Sequence, residues 1–183
     1  MDKTMSLEKL KEAMDLGSQA RHARYYHNAK RLIKVYRSIM WCLENDINDV
    51  ELQSAEMGYE HIHQALELLA CSMEDDAHIQ RLQDKCKSML FTRALILITD
   101  KALLALKSYP DDGEKYFEII NRSYILQSPY SENELLDTMQ ISRRTLYRTK
   151  KMAISLLGVI LWGYMIPVLL SGHDVMELAP DWH

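Results

Sequence analysis

The chain contains 183 residues, of which 48% are apolar and 26% charged, and its formal net charge is −4. This composition is typical of a globular protein and excludes disordered, collagen-like and mucin-like chains. Glycine and proline, which β-rich folds need for their many turns, number 6 and 4, so an all-α fold is expected. The mild acidity argues against a protein that coats nucleic acid without sequence preference.

Cysteine usage and the N-terminal sequence both indicate the cytoplasm. Cys42, Cys71 and Cys86 are odd in number and widely spaced, so they predict neither a disulfide framework nor a CxxC metal half-site. Reduced, buried thiols in a cytoplasmic protein are the expectation. The residues after Met1 lack the apolar segment of a secretory signal.

Apolar residues recur every three or four positions along most of the chain, as they do in amphipathic helices. The pattern predicts helices in residues 32–43, 52–69 and 82–104. After a turn at 110–113, where the Asp side chains can bond to the backbone, the predicted helices shorten to 114–126, 132–139 and one that begins after Ser142. We therefore divide the chain into a helical bundle (1–109), a helix-turn-helix module with an apolar C-terminal helix (110–172) and a tail (173–183).

Charge is unevenly distributed along the chain. Residues 17–43 contain six bases and no acid, residues 44–84 eleven acids and one base, and residues 142–151 five bases and no acid. We expect basic side chains of the first block to pair with acidic side chains of the second, within one subunit or between subunits. Tyr36, which belongs to the first block, is expected to lie in the core. The third block carries +5, so the rest of the chain carries −9. An acidic body with one basic helix fits a protein that touches DNA over a small patch.

Residues 130–157 carry the clearest functional signal. Ser131 and Glu134 have the spacing of a capping box, and Ser142 is placed to cap the following helix. Two helices joined by so short a turn cross steeply. They are expected to share a small core of Leu136, Ile141 and Leu146, which leaves Arg143, Arg144, Tyr147, Arg148 and Lys151 facing outward.

Such a basic helix fits the major groove of DNA, where arginine binds guanine O6 and N7 through two hydrogen bonds. We expect Arg143 and Arg144 to contact bases or phosphates. Basic residues further along the helix are expected to contact phosphates, and Tyr147 a phosphate or a thymine methyl group. The predicted DNA-binding residues are Ser142, Arg143, Arg144, Thr145, Tyr147, Arg148, Lys150 and Lys151. The simpler interpretation is a basic, exposed helix in an ordinary bundle.

The stretch ENELLDTMQISRRTLYRTKKMAISLL resembles the C-terminal helix-turn-helix of ArpU/RinA-type late-gene transcriptional regulators of phages and prophages. It is more remotely similar to the promoter-reading C-terminal region of sigma factors. The resemblance covers residues 103–163 and implies a sequence-specific transcription regulator with double-stranded DNA and RNA polymerase as partners. The sequence departs from the pattern at Leu136 and Gln140, where many helix-turn-helix motifs have Ala and Gly or Asn.

Residues 152–172 contain no charged side chain, and about 20 apolar residues can span a bilayer. Pro167 is expected to end the helix near Ile166, which leaves about 22 Å of helix, short for a membrane span. A membrane-anchored regulator is therefore the less favoured alternative. A buried helix that packs on residues 82–104, or a homodimer interface, also explains the segment, and Trp162 and Trp182 would serve as anchors at an interface or in a membrane.

Metal binding and catalysis find little support in the sequence. Residues 60–63 hold one Glu-x-x-His motif, half of a di-metal site, and Asp75, Asp76 and His78 follow, but a second motif is missing. No glycine-rich phosphate loop, nucleophile elbow or HExxH motif occurs, so we predict no enzyme, cofactor, metal or small-molecule substrate. The leading alternative to a regulator is a non-enzymatic helical assembly or DNA-packaging protein that oligomerises.

Overall fold

A computed structural model describes residues 19–45, 67, 69 and 89–171. Within these residues the protein is helical and has no β-strand, which confirms the all-α expectation. The predicted helix at 52–69 lies outside them except for Glu67 and Leu69, as do the possible metal ligands at 60–78. The described helices are α1 (Gln19–Asn45), α2 (Met89–Lys107), α3 (Gly113–Ile120), α4 (Glu132–Met139), α5 (Arg143–Gly158) and α6 (Ile166–Leu170).

Two π-helical segments modify this order. Asn121–Ile125 extends α3, and Val159–Met165 joins α5 to α6. The sequence pattern predicted neither of them. They continue the helices without a break, so one long helix runs from α5 through α6 to the last of the described residues.

A large hydrophobic core joins α1, α2 and this long helix. Leu32 and Ile33 of α1, Ile98 of α2 and Ile160 of the π-helical segment are fully buried in it. Trp162 lies in the same core, and its indole Nε1 donates a hydrogen bond to the backbone carbonyl of Leu69. Most of residues 153–162 are thus buried in the core, where Trp162 is a core residue, while Trp182 lies outside the described part of the chain.

The prediction that Pro167 ends the helix is wrong. The continuous helix Arg143–Leu170 has 28 residues. Pro167 falls in the first turn of α6, a position where proline is tolerated because its missing N–H would lack an α-helical partner there. By length and composition alone this helix could cross a membrane. However, 61% of its most apolar stretch of 18 residues is buried inside the described fold.

The turn between α2 and α3 brings these helices into close contact. Asp112 has a left-handed backbone (φ 63°), and its side chain makes no capping hydrogen bond, contrary to the expected role of the turn's Asp residues. The turn is instead closed by the Gly113 N–H, which donates to the Tyr109 carbonyl at 3.1 Å. A Cβ atom on Gly113 would lie 2.7 Å from the Leu106 carbonyl oxygen, so only glycine fits here.

α1 crosses α5 at an equally close contact. A Cβ atom on Gly158 would lie 2.5 Å from the backbone oxygen of Tyr25. Further along α1, Tyr36 is buried, as predicted, and its hydroxyl donates to Asp100 Oδ1 of α2 at 2.5 Å. Burial raises the pKa of both groups above their ordinary values. α1 therefore holds α2 and α5 in fixed positions.

Candidate nucleic-acid interface

α4 begins at the predicted capping box. Ser131 Oγ accepts the Glu134 N–H at 3.4 Å, and the Ser131 N–H donates to Glu134 Oε2 at 2.7 Å. Hydrogen bonds to the Glu134 carboxyl from the Ser131 hydroxyl and the Ser131 backbone N–H hold the pKa of that carboxyl below its usual value. The short helix therefore starts at the residue that the sequence indicates, because capping depends on side chains only three positions apart.

The turn between α4 and α5 consists of Gln140, Ile141 and Ser142. Gln140 takes a left-handed conformation (φ 51°, ψ 43°), and its N–H donates to the Leu136 carbonyl. Ser142 then caps α5, as predicted: its Oγ accepts the Thr145 N–H at 3.2 Å and lies 2.9 Å from Thr145 Oγ1. The turn is thus made without glycine, which normally supplies the left-handed residue.

A second, small hydrophobic core holds α4 against α3 and α5. Its three buried side chains are Ile119, Leu135 and Leu146. Leu136 and Ile141, which we expected at its centre with Leu146, are only partly buried at its edge. We did not predict Ile119, because the helical pattern around it was assigned through its neighbours Tyr116 and Ile120. The signal in the sequence was the pair Ile119–Ile120. Adjacent residues of a helix point in different directions, so two neighbouring isoleucines indicate two buried faces, and the two do belong to different cores.

The outward face of α5 carries the five residues that the helical spacing places there. The exposed side chains are Arg143, Arg144, Tyr147, Arg148 and Lys151, whereas Leu146, Thr149 and Ala153 are buried on the opposite side. In the described part of the chain, no carboxylate forms an ion pair with Arg144, Arg148 or Lys151. Lys151, the last of the five, also lines a groove of about 490 Å³ formed by α5, the start of α1, the α2–α3 turn and α3.

Glu132, the first residue of α4, contacts two of these five side chains. Its Oε1 lies 2.6 Å from Arg143 Nε, and its Oε2 accepts a hydrogen bond of 2.7 Å from the Tyr147 hydroxyl. The hydrogen bond to this carboxylate raises the pKa of Tyr147 above its ordinary value. Sequence reasoning missed Glu132, because its partners are 11 and 15 residues away and meet it only after the helices pack.

Lys150 lies apart from the outward face, although we predicted that it contacts phosphate. Its ammonium lies 4.8 Å from the centre of the Tyr124 ring, an arrangement in which the ring face attracts the cation. Burial lowers its pKa below the usual lysine value. Thr145 is also half-buried, and Ser142 uses its hydroxyl in the cap. The exposed surface is therefore smaller than the predicted set of eight residues.

Metal ligands do not cluster within residues 19–45 and 89–171: no group of three or more His, Cys, Asp or Glu side chains there could hold a metal ion. Comparisons with known proteins give no match to a family model, a curated protein or a solved structure. The features of the molecule that bear on function are the helix pair, the cores that hold it and its exposed cations.

Proposed function

We propose that the chain is a sequence-specific DNA-binding protein that inserts α5 into the major groove. The observation that carries this proposal is the exposed stripe of Arg144, Tyr147, Arg148 and Lys151 on a helix that begins just after a tight turn. The opposite side of that helix is packed into both hydrophobic cores. A rigid helix with a cationic outer face fits the groove in width and in charge.

The side chains divide by the contacts that their chemistry favours. Arg144 lies in the first turn of α5 without an ion-pair partner among the described residues, so its guanidinium is available for a bidentate contact with guanine. Arg148 and Lys151 lie one and two turns further on and are suited to phosphates. The acidic remainder of the chain would be repelled by DNA, which limits the contact to this helix.

The resemblance to ArpU/RinA-type proteins supports a role as a transcription regulator of phage or prophage origin. We propose on that basis a cytoplasmic protein whose partners are double-stranded DNA and RNA polymerase. A homodimer would pair two reading helices on neighbouring half-sites. No catalytic step and no cofactor are part of this proposal.

Selection from random or genomic DNA fragments by the purified protein tests the proposal. We expect one enriched motif, and a gel-shift titration in which binding to that motif survives competitor DNA. Arg144→Ala should weaken binding by about 1–3 kcal/mol and relax specificity at one position. Lys101→Ala, which removes one exposed base from α2, is the matched control for this single substitution and should change little.

Two results would contradict the proposal. Unchanged affinity and unchanged salt dependence for the double variant Arg143→Ala/Arg144→Ala would show that α5 does not touch DNA. Binding that competitor DNA abolishes completely would favour the helical assembly or DNA-packaging protein instead.

A membrane-anchored regulator is the second candidate, because the helix Arg143–Leu170 is long and apolar enough to span a bilayer. The burial of its apolar side chains against α1 and α2 favours the core helix. Fractionation of cells without detergent separates the two candidates. Intact protein in the soluble fraction is expected from a core helix, and quantitative recovery in the membrane pellet is expected from an anchor.

A further inference from the structure

The Glu132 carboxylate links the first turns of α4 and α5. Each of its oxygens takes one partner: Oε1 is 2.6 Å from Arg143 Nε, and Oε2 is 2.7 Å from the Tyr147 hydroxyl. Arg143 and Tyr147 are four residues apart and so lie one above the other on α5. One carboxylate therefore fixes the positions of two neighbouring side chains on the outward face.

The contact also determines which hydrogen bonds remain available to these two side chains. The Arg143 guanidinium meets Oε1 as an ion pair at Nε, and this buried oxygen accepts no hydrogen bond from the described residues. The two terminal nitrogens of Arg143 therefore stay available for a second acceptor. A tyrosine hydroxyl has one proton, and that of Tyr147 is donated to Glu132. Toward a third group, Tyr147 can then only accept a hydrogen bond, and a phosphate oxygen has no hydrogen to donate. The amino groups of adenine and cytosine do have one, and both lie in the major groove.

We propose that Glu132 is a positioning residue that sets the sequence preference of α5: it aligns Arg143 for a guanine and makes Tyr147 an acceptor for a base amino group. This inference rests on the proposed function. It changes the expected contact of Tyr147 from a phosphate or thymine methyl to adenine N6 or cytosine N4.

The charge of Glu132 produces a second effect, opposite in sign. A carboxylate beside the groove-facing side chains repels phosphates and offsets the cation of Arg143, so it weakens binding to any DNA sequence. Removing the charge should therefore strengthen non-specific binding while it weakens discrimination. A residue with a merely structural role would, when changed, weaken both kinds of binding together.

The test compares Glu132→Gln with Asp137→Asn, which removes the same charge from an exposed position on the same helix. Affinities are measured for the selected motif and for a scrambled duplex at several salt concentrations. For Glu132→Gln we expect the ratio of the two affinities to fall about tenfold, the loss of one base contact, and non-specific binding to rise with a steeper salt dependence. Asp137→Asn should keep the ratio of the wild-type protein. Equal ratios for Glu132→Gln and the wild-type protein would overturn the proposal.

Tyr147→Phe removes the hydroxyl that donates to Glu132, and so tests the hydrogen bond between these two residues from its donor. Its loss of discrimination should be confined to one A or C position of the motif. Combined with Glu132→Ala, which removes both side-chain oxygens, it should add little further loss, because both changes break the same hydrogen bond between Tyr147 and residue 132, which a glutamine oxygen could still accept. Losses that multiply would mean that the residues act independently, which contradicts the proposal. If Glu132→Gln fails to fold, the position-specific loss in Tyr147→Phe decides the question alone.

Failure of the inference and failure of the proposed function are distinguishable. A wild-type protein that enriches no DNA motif overturns both. A wild-type protein that enriches a motif, with discrimination unchanged in Glu132→Gln and Tyr147→Phe, leaves the DNA-binding function and removes only the role of Glu132.

Discussion

The two hydrophobic cores of this protein hold their helices in different ways. The large core fixes α1, α2 and the long helix from α5 to α6 through many buried side chains, through the close crossing of α1 and α5 at Gly158 and through the hydrogen bond from Tyr36 to Asp100. The small core has three buried side chains, so α4 also depends on its capping box, on the left-handed turn at Gln140 and on Glu132. α5 belongs to both cores, whereas α4 belongs to the small one. We infer that α5 is the fixed part of the helix pair and α4 its adjustable part.

The largest expected effect on the free energy of unfolding comes from shortening a buried leucine to alanine, and it should differ between the two cores. Leu157→Ala in the large core should lower the free energy of unfolding by about 4 kcal/mol, and Leu146→Ala in the small core by about 2.5 kcal/mol. Chemical denaturation followed by circular dichroism measures both values. Hydrogen exchange should show that Leu146→Ala exposes mainly α4. Loss of protection in α1 for that variant would mean that the two cores unfold as one unit.

The crossing of α1 and α5 gives the next effect. Gly158→Ala would place a Cβ atom 2.5 Å from the Tyr25 carbonyl oxygen, so the helices must separate. We expect a loss of about 3 kcal/mol, at the upper end for overpacking, measured as a lower denaturation midpoint. Ser155→Ala, a half-buried position on the same helix, is the control and should be nearly neutral. A neutral Gly158→Ala would show that the crossing is loose.

Removal of the N-terminal caps of α4 and α5 gives a smaller effect, which compares how firmly each helix is held. Ser131→Ala removes the cap of α4 and should cost about 1 kcal/mol, seen as faster hydrogen exchange throughout α4. Ser142→Ala removes the corresponding cap of α5. Because α5 is held by both cores, its amides beyond the first turn should keep their protection. Equal opening of the two helices would contradict the distinction between them.

The left-handed turn offers a change that should stabilise the protein. Gln140 has φ 51°, a conformation that glycine adopts without steric cost. Gln140→Gly should therefore raise the stability of α4 by about 0.5 kcal/mol, after the entropy of the more flexible unfolded chain is included. Gln140→Ala, which keeps the steric cost, should give no gain. Thermal melting of the three proteins checks this order.

The smallest effect depends on pH. The pKa of Glu134 is lowered in the folded protein, so folding favours its ionised form. Its contribution is complete above the unfolded pKa, near 4.5, and is lost as the pH falls through the lower, folded value. The stability difference between wild-type protein and Glu134→Gln should shrink between pH 6 and pH 3. A difference that stays constant or widens would contradict the capping box.

Local features of this fold could be predicted from the sequence, whereas features that depend on packing could not. Ser131 and Ser142 cap the helices that they were predicted to cap, because a cap needs only its next three residues. The helix end at Pro167 was predicted wrongly, because the preceding π-helical segment changes the position of proline within the helix. Ile119, Glu132 and the burial of Lys150 were missed because each involves a partner on another helix.

Because the helix from Arg143 to Leu170 is continuous, a small tilt at one of its ends displaces the other end by several ångströms. Its 28 residues measure about 42 Å at about 1.5 Å each. A tilt of about 5° around its C-terminal end would move its first turn by nearly 4 Å, about one base-pair step of roughly 3.4 Å. In the proposed complex with DNA, repacking around Trp162 or Ile166, far from the outward face, would therefore be enough to change which base pair α5 contacts.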